Sequence, residues 1–314
     1  MSSGGNLVRR VRPSGRQRAR VVMEAWNRLP SEGSAADSRG VTTEGPRSWP
    51  GYREARWLGH RTVDLEPRTI LTIHDLSIRF GGVQALDGVN LSARTGEVAG
   101  VIGPNGAGKS TLFNCLSGVL VPDSGQMVFD DSPLRGAPAV RARRGLGRTF
   151  QTPRLFPSLS ILDNLLFGCE AADWAGHRYV FDPRLGRLPH AERAEVIARL
   201  VGFEGDLGAS AGGLAFGEVR TVELARALCG APRLLMLDEP ASGLDAAQAE
   251  TFVALMRALA DMGLALVLIE HDMALVMGLC ERITVLDFGA VIAEGTPGEV
   301  QANEAVIHAY LGKG

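Results

Sequence analysis

Gly103-Pro104-Asn105-Gly106-Ala107-Gly108-Lys109-Ser110 has the spacing of a phosphate-binding loop: glycines at the first and sixth positions, then Lys and a hydroxyl residue. Glu97 to Ile102, just before it, reads as a buried strand, and Lys109 to Ser117 as the helix that follows. Strand, loop and helix are the context in which this pattern works. The glycines let backbone N–H groups converge on phosphate oxygens without side-chain obstruction, and the helix presents its positive end to the same anions. Lys109 is placed to neutralise the β and γ phosphates, and Ser110 to ligate Mg²⁺ through its hydroxyl. Composition supports the lysine independently. Lys109 and Lys313 are the only lysines in the chain, against 31 arginines, so an ammonium kept inside a glycine loop reflects a site too tight for a planar guanidinium.

Further along, Leu234-Leu235-Met236-Leu237-Asp238-Glu239 ends a short apolar run in two acids. Desolvated carboxylates at a strand end are costly unless a cation is near, and bound Mg²⁺ meets that need. Asp238 is the candidate metal ligand and Glu239 the candidate for polarising an attacking water. Leu264 to Ile269 is a second unbroken run, followed by Glu270-His271-Asp272. A lone His is more often structural. On the same sheet as a phosphate loop, His271 becomes a candidate γ-phosphate contact. Unbroken apolar runs separated by helices imply parallel strands covered on both faces in an open α/β sheet. Ligands bind such sheets beyond the carboxyl ends of the strands, so both acidic ends are expected to face the nucleotide.

The flanks differ. Residues 1–66 hold twelve Arg against seven acids and show neither alternation nor helical periodicity, so they read as a disordered extension. A basic arm for anionic lipid or nucleic acid is the functional alternative. The first 22 residues carry six Arg but no continuous apolar core, which argues against a secretory signal; an organelle transit peptide, and Met23 as the true start, stay open. The folded domain is expected from residue 67 to 314. Its first strand is announced by Ile70, Leu71, Ile73, Leu76, Ile78 and Phe80 ahead of a Gly81-Gly82 break. The segment to about residue 208 is more helical, with Ala191 to Leu200 its clearest amphipathic piece. A formal charge of −2, from 33 basic and 35 acidic residues, argues against a surface built wholly for nucleic acid. Four scattered cysteines, Cys115, Cys169, Cys229 and Cys280, suggest neither a disulfide framework nor a zinc site, which fits a reducing cytosol. No apolar run approaches the roughly 20 residues that span a bilayer.

From Ile70 to Gly312 the chain resembles the ATPases of ABC transporters. The resemblance is carried by the phosphate loop, Asp238-Glu239, and four further segments. Phe80 falls where that family places an aromatic to stack on adenine. Gln151, in Arg148-Thr149-Phe150-Gln151, corresponds to its metal-sensing and membrane-coupling glutamine. Leu214-Ala215-Phe216-Gly217-Glu218 occupies the signature position, and Asp245 in Ser242-Gly243-Leu244-Asp245 matches a dimer-contact aspartate. The implied fold is an α/β P-loop NTPase cassette with an antiparallel β subdomain, a helical subdomain at about residues 152–230 and an importer-type tail at about 290–314. The implied nucleotide site comprises Gly103 through Ser110, Thr111, Phe80, the signature residues and Asp245, with Mg²⁺ held by Ser110, Gln151 and Asp238, and Glu239, His271 and Gln151 in catalysis. The implied partners are a second cassette in a two-fold dimer, identical or related, and integral-membrane permeases, with a substrate-binding protein engaged indirectly. The cassette would lie at the cytoplasmic face of the inner membrane.

The signature departs from the commonest form of the family, with Ala215 for a serine, Phe216 for a glycine and Glu218 for a glutamine. Ala215 costs one hydroxyl contact to phosphate, so hydrolysis is expected to be retained but slower. Arg148 to Gln151, Leu155-Phe156, Glu270 to Met273 and the tail, Glu294-Gly295-Thr296-Pro297 followed by Ala305 to Gly312, resemble importers of branched-chain and other hydrophobic amino acids. Three rivals are weighed, of which export of lipid or polysaccharide, or a soluble non-transport ABC ATPase, stays the alternative. A soluble ABC ATPase would carry two cassettes or a coiled-coil insert, an exporter of lipid or polysaccharide would share every nucleotide residue, and a phosphotransferase would need no signature.

Overall fold

The computed structural model describes residues 67–311, so the expectations for residues 1–66 and for Lys313 lie outside the described residues. The chain opens with a long hairpin, β1 (Thr69–Phe80) and β2 (Val83–Arg94), paired from Thr69↔Arg94 to Phe80↔Val83. Gly81 turns it at φ 55°, in the left-handed region that costs glycine little. Leu71, Ile73, Leu76 and Ile78 of β1 are buried with Leu86, Val89 and Leu91 of β2, and that shared apolar face fixes the register. β4 (Ser124–Phe129) and β5 (Ser132–Pro133) complete an antiparallel sheet in the order β2-β1-β4-β5.

The second sheet has six strands: β3 (Val98–Ile102), β6 (Leu146–Arg148), β7 (Leu234–Asp238), β8 (Ala265–Ile269), β9 (Arg282–Asp287) and β10 (Ala290–Gly295). Their order is β10-β9-β3-β8-β7-β6, with every pairing parallel except β9 with β10. All five residues of β3, β7 and β8 are buried, as expected of strands covered on both faces. Because β3, β7 and β8 run parallel, the loop after Ile102, the acids after Leu237 and the residues after Ile269 emerge on one edge.

α1 (Lys109–Ser117) lays Leu112, Phe113, Cys115 and Leu116 into the core shared by both sheets, alongside Leu86, Val101 and Val267. Each such fully buried apolar side chain contributes about 1.5–3 kcal/mol. The short α2 (Pro138–Ala142) follows β5 and leads to β6. Beyond β6 come α3 (Ile161–Ala175), α4 (His190–Leu200) and α5 (Phe216–Cys229), which pack on one another. Ser160 caps α3, its Oγ accepting from Asp163 N at 3.0 Å. Arg193 of α4 is buried at the centre of this layer, donating to Leu185 O and Leu188 O, each at 3.0 Å, and to Asp173 at 2.6 Å. α6 (Ala246–Asp261) and α7 (Met273–Leu279) follow β7 and β8, and α8 (Pro297–Gln301) and α9 (Glu304–Leu311) close the described chain after β10. The four cysteines are buried and free. Among the described residues no helix is long and apolar enough to cross a membrane.

Candidate functional site

The phosphate loop is shaped by contacts that only glycine permits. A Cβ on Gly103, at φ 149°, would fall 2.0 Å from Leu286 O, and one on Gly108, at φ 102°, would fall 2.5 Å from Ala85 O. Lys109 folds back over the loop, its Nζ donating to Gly103 O at 2.6 Å and to Pro104 O at 3.0 Å. An ammonium has three donors, so one N–H remains for an incoming anion. Burial lowers the Lys109 pKa, and the carboxylates of Glu239 and Asp238 pull it back up, which places both acids in the field of this ammonium. Asn105, Gly106 and Ser110 are exposed at the loop, with Pro104 and Thr111 half-buried and Gly103 and Ala107 buried.

Asp238 closes β7 at 6% exposure, and desolvation raises its pKa against the pull of Arg148. Arg148, at the end of the neighbouring β6, donates to Asp238 Oδ2 at 3.1 Å, and to Asn114 Oδ1 and Ser117 Oγ of α1, each at 2.8 Å. One guanidinium thus joins the acid to the helix that follows the phosphate loop. Glu239 is a non-glycine residue in the left-handed region, at φ 47°, held there by its N–H donating to Ile269 O at 2.9 Å. Its Oε2 accepts from Gln151 Nε2 at 2.9 Å, so two residues singled out in the sequence meet directly.

His271 is exposed at the same edge, on the end of β8. Its neighbour Glu270 is buried at 1% exposure and accepts from Ala241 N at 2.8 Å and His271 N at 3.1 Å. The loop after Glu239 is therefore pinned to the His271 turn by a carboxylate. Glu270→Ala removes the acceptor of two part-buried N–H groups, at up to about 1–3 kcal/mol each. The expected result is a melting midpoint lower by several degrees, with nucleotide affinity falling more than for an exposed control substitution, read by thermal denaturation and titration.

The signature segment begins α5. Ala215 is its N-cap but has no side-chain acceptor, so only the reciprocal half of the cap forms: Glu218 Oε2 accepts from Ala215 N at 2.9 Å. Phe216 and Gly217 are exposed and Leu214 is half-buried. Asp245 caps α6, its Oδ1 accepting from Gln248 N at 2.8 Å while Gln248 Oε1 accepts from Asp245 N at 3.0 Å. Ala215, Gly217, Glu218, Asp238, Asp245 and Gln248 line one cleft of about 810 Å³, and none of the residues lining it belongs to the phosphate loop. Phe80 ends β1 at 47% exposure, its ring open to solvent.

Sequence reasoning assigned no role to three residues of this network, Arg148, Arg220 and Glu223, and expected the acid at Glu270 to face the nucleotide, whereas its carboxylate is buried on backbone N–H groups. Arg220 of α5 donates to Glu239 O at 2.7 Å and to Gln151 O at 3.3 Å. Glu223, buried at 3% exposure, accepts from Arg154 N at 2.9 Å and Phe150 N at 3.4 Å. Its signal was present, a lone carboxylate in the apolar run Val222-Glu223-Leu224-Ala225, because a buried acid implies donors aimed at it.

A parallel α/β sheet with a glycine loop over a helix start, and acids ending a neighbouring strand at the same edge, defines a P-loop nucleotide-binding domain. The chain belongs to the ABC transporter family, whose model matches residues 86–242. Residues 290–314 also match the model described as branched-chain amino acid ATP-binding cassette transporter. The chain is 40% identical over 259 residues to the high-affinity branched-chain amino acid transport ATP-binding protein BraF of Pseudomonas aeruginosa, covering 78% of this chain and 99% of that protein. It is 38% identical to LivG of Escherichia coli, of the same description, over 78% of this chain and 98% of LivG. The lipopolysaccharide export ATP-binding protein LptB of Escherichia coli is 32% identical over 77% of this chain and 97% of LptB. Among solved structures, a nucleotide-free ABC transporter cassette superposes with a TM-score of 0.65 at 28% identity, covering 78% of this chain and 100% of that one. The ADP conformation of another such cassette gives 0.67 at 29% identity, with the same coverage.

Proposed function

We propose that this chain is the ATP-hydrolysing subunit of an importer for branched-chain or other hydrophobic amino acids. The observation that carries the nucleotide chemistry is the meeting of Lys109, Asp238 and Glu239 at one sheet edge, with the ammonium in the field of both carboxylates. The cargo class is supported by the match of residues 290–314 and by BraF and LivG. Export of lipid is the second reading, favoured by LptB at the lower identity of 32%.

In this reading the N–H groups of residues 103–111 bind the phosphates, the remaining Lys109 donor meets a phosphate oxygen, and Phe80 stacks on adenine. Ser110, Gln151 and Asp238 are the residues that would hold Mg²⁺, which supplies charge neutralisation at the phosphate oxygens. Their chemistry fits a hard cation, since they offer hydroxyl, amide and carboxylate oxygens. Glu239 accepts hydrogen bonding from the attacking water, and His271 contacts the γ-phosphate. The cleft lined by Ala215, Gly217, Glu218 and Asp245 includes no residue of the phosphate loop, which supports the reading in which the signature serves the loop of a second cassette, identical or related. Closure of that pair drives integral-membrane permeases at the cytoplasmic face of the inner membrane, with a substrate-binding protein delivering cargo on the far side and no nucleic acid involved.

The decisive experiment reconstitutes the chain with its permeases and binding protein and measures ATP turnover. Stimulation by leucine, isoleucine or valine supports the reading; equal turnover with and without every amino acid tested removes the cargo assignment. Ala215→Ser restores the missing cap of α5, worth about 1 kcal/mol. Turnover in the same assay is expected to rise several-fold, and an unchanged rate argues against a phosphate contact at this position.

A further inference from the structure

The edge of the six-stranded sheet opposite the nucleotide loop carries an unusual concentration of cations. Arg141-Ala142-Arg143-Arg144 spans the end of α2 and the approach to β6. Arg141 is buried, its guanidinium donating to Gly136 O at 3.0 Å, Leu116 O at 2.8 Å and Cys115 O. Arg144 donates to Pro133 O at 2.6 Å, Ser132 O at 3.1 Å and Phe129 O. Carbonyls orient these guanidinium groups without cancelling their charge. Arg143 lies 3.7 Å over the centroid of Trp174, a stacked geometry that occupies the face of the guanidinium and leaves its N–H edge free.

Arg143, Arg144, Arg178 and Arg233 line one cavity of about 450 Å³, together with His177 and Asp130. His177 ties its walls, with ring nitrogens 2.7 Å from Arg143 O and 3.1 Å from Gly230 O. Asp130 is the one carboxylate on the wall, and its charge is already taken: Arg233 donates to it at 2.7 Å and Arg68 at 2.6 Å. Among the described residues Arg143, Arg144 and Arg178 form no ion pair. Three uncancelled cations on one wall, in a chain of formal charge −2, are a local excess that an anion would relieve.

We propose that this cavity is a second anion site, binding a phosphate group through Arg143, Arg144 and Arg178. Guanidinium edges match phosphate oxygens in bidentate geometry. The volume admits a phosphate ester with several waters, at about 30 Å³ of liquid volume per water. The site is separate from the nucleotide loop. Arg144 and Arg233 precede the amino ends of β6 and β7, whereas Asp238 ends β7, five residues and about 16 Å along the strand. The phosphate is either free in solution or the headgroup of an anionic phospholipid, and the two sources are separable.

The full chain is saturated with ADP to fill the nucleotide loop, then titrated with labelled inorganic phosphate by equilibrium dialysis and, in parallel, sedimented with phosphatidylglycerol or phosphatidylcholine vesicles. The expected result is one further phosphate per chain, or retention by phosphatidylglycerol vesicles that phosphate competes away. The first without the second assigns a soluble anion; the second assigns a headgroup. Arg143→Ser with Arg178→Ser, both at exposed positions, is expected to weaken binding at least tenfold while ADP affinity is unchanged, and Arg178→Ser alone serves as a variant that keeps the Trp174 stack. Absence of both phosphate and vesicle binding overturns the proposal, as does undiminished binding by the double variant. ADP retention is read in the same samples, so failure of the nucleotide assignment is visible separately.

Discussion

Glu239→Gln is expected to reduce ATP turnover by about 100-fold or more, the range found when a positioned base is removed, while ATP binding and ATP-dependent dimerisation persist. The separation follows from where Glu239 stands. In the proposed reading the phosphate contacts come from residues 103–111, Lys109 among them, none of which depends on the Glu239 carboxylate, and the Glu239 backbone is fixed by its N–H bond to Ile269 O. Gln preserves the size of the side chain and an acceptor oxygen for the Gln151 amide, which donates to it at 2.9 Å. What is lost is the negative charge that, in the proposed reading, polarises the attacking water. Turnover by phosphate release, ATP affinity by titration and dimer mass by light scattering are measured on one preparation. Turnover above a tenth of the parent rate removes Glu239 from the catalytic role; parallel loss of binding reassigns it to holding the loop.

Much of this site was legible because short-range patterns specify it. Glu97 to Ile102 followed by the glycine loop and Lys109 to Ser117 is a local unit, and the structure places β3 at Val98–Ile102 and α1 at Lys109–Ser117. The runs ending at Asp238 and Glu270 became β7 and β8 for the same reason, since an unbroken apolar stretch must be covered on both faces. Arg148 was not legible as a partner of Asp238. The two are ninety positions apart, and their meeting depends on β6 pairing with β7, a register that periodicity does not encode. Glu270 and Glu223 were hidden differently. A carboxylate within an apolar run marks Glu223 as a buried acid, but the backbone N–H groups of the distant loops that these two acids serve leave no trace in the sequence. The Ala215 cap shows the converse. Its missing hydroxyl was visible in the sequence, while the compensating bond from Ala215 N to Glu218 required coordinates.

Lys109→Ala is expected to reduce ATP affinity by about 100-fold or more, roughly 3 kcal/mol for a lost charge-assisted contact, and to leave no measurable turnover. Two losses compound. Gly103 O and Pro104 O lose the donor that bridges them, so the loop is free to open, and Asp238 and Glu239 lose the Lys109 ammonium in whose field they stand. A triphosphate entering that site would meet two carboxylates with no lysine to offset them. Lys109→Arg restores the charge yet is expected to recover less than a tenth of the affinity, because a planar guanidinium cannot place donors on both carbonyls and still reach a phosphate in a loop packed against Ala85 O and Leu286 O. Titration with labelled ATP, with and without Mg²⁺, distinguishes the cases. Recovery by Arg to near the parent affinity would mean that net charge alone matters here, and the tight loop geometry would no longer account for a lysine in a chain that elsewhere uses arginine.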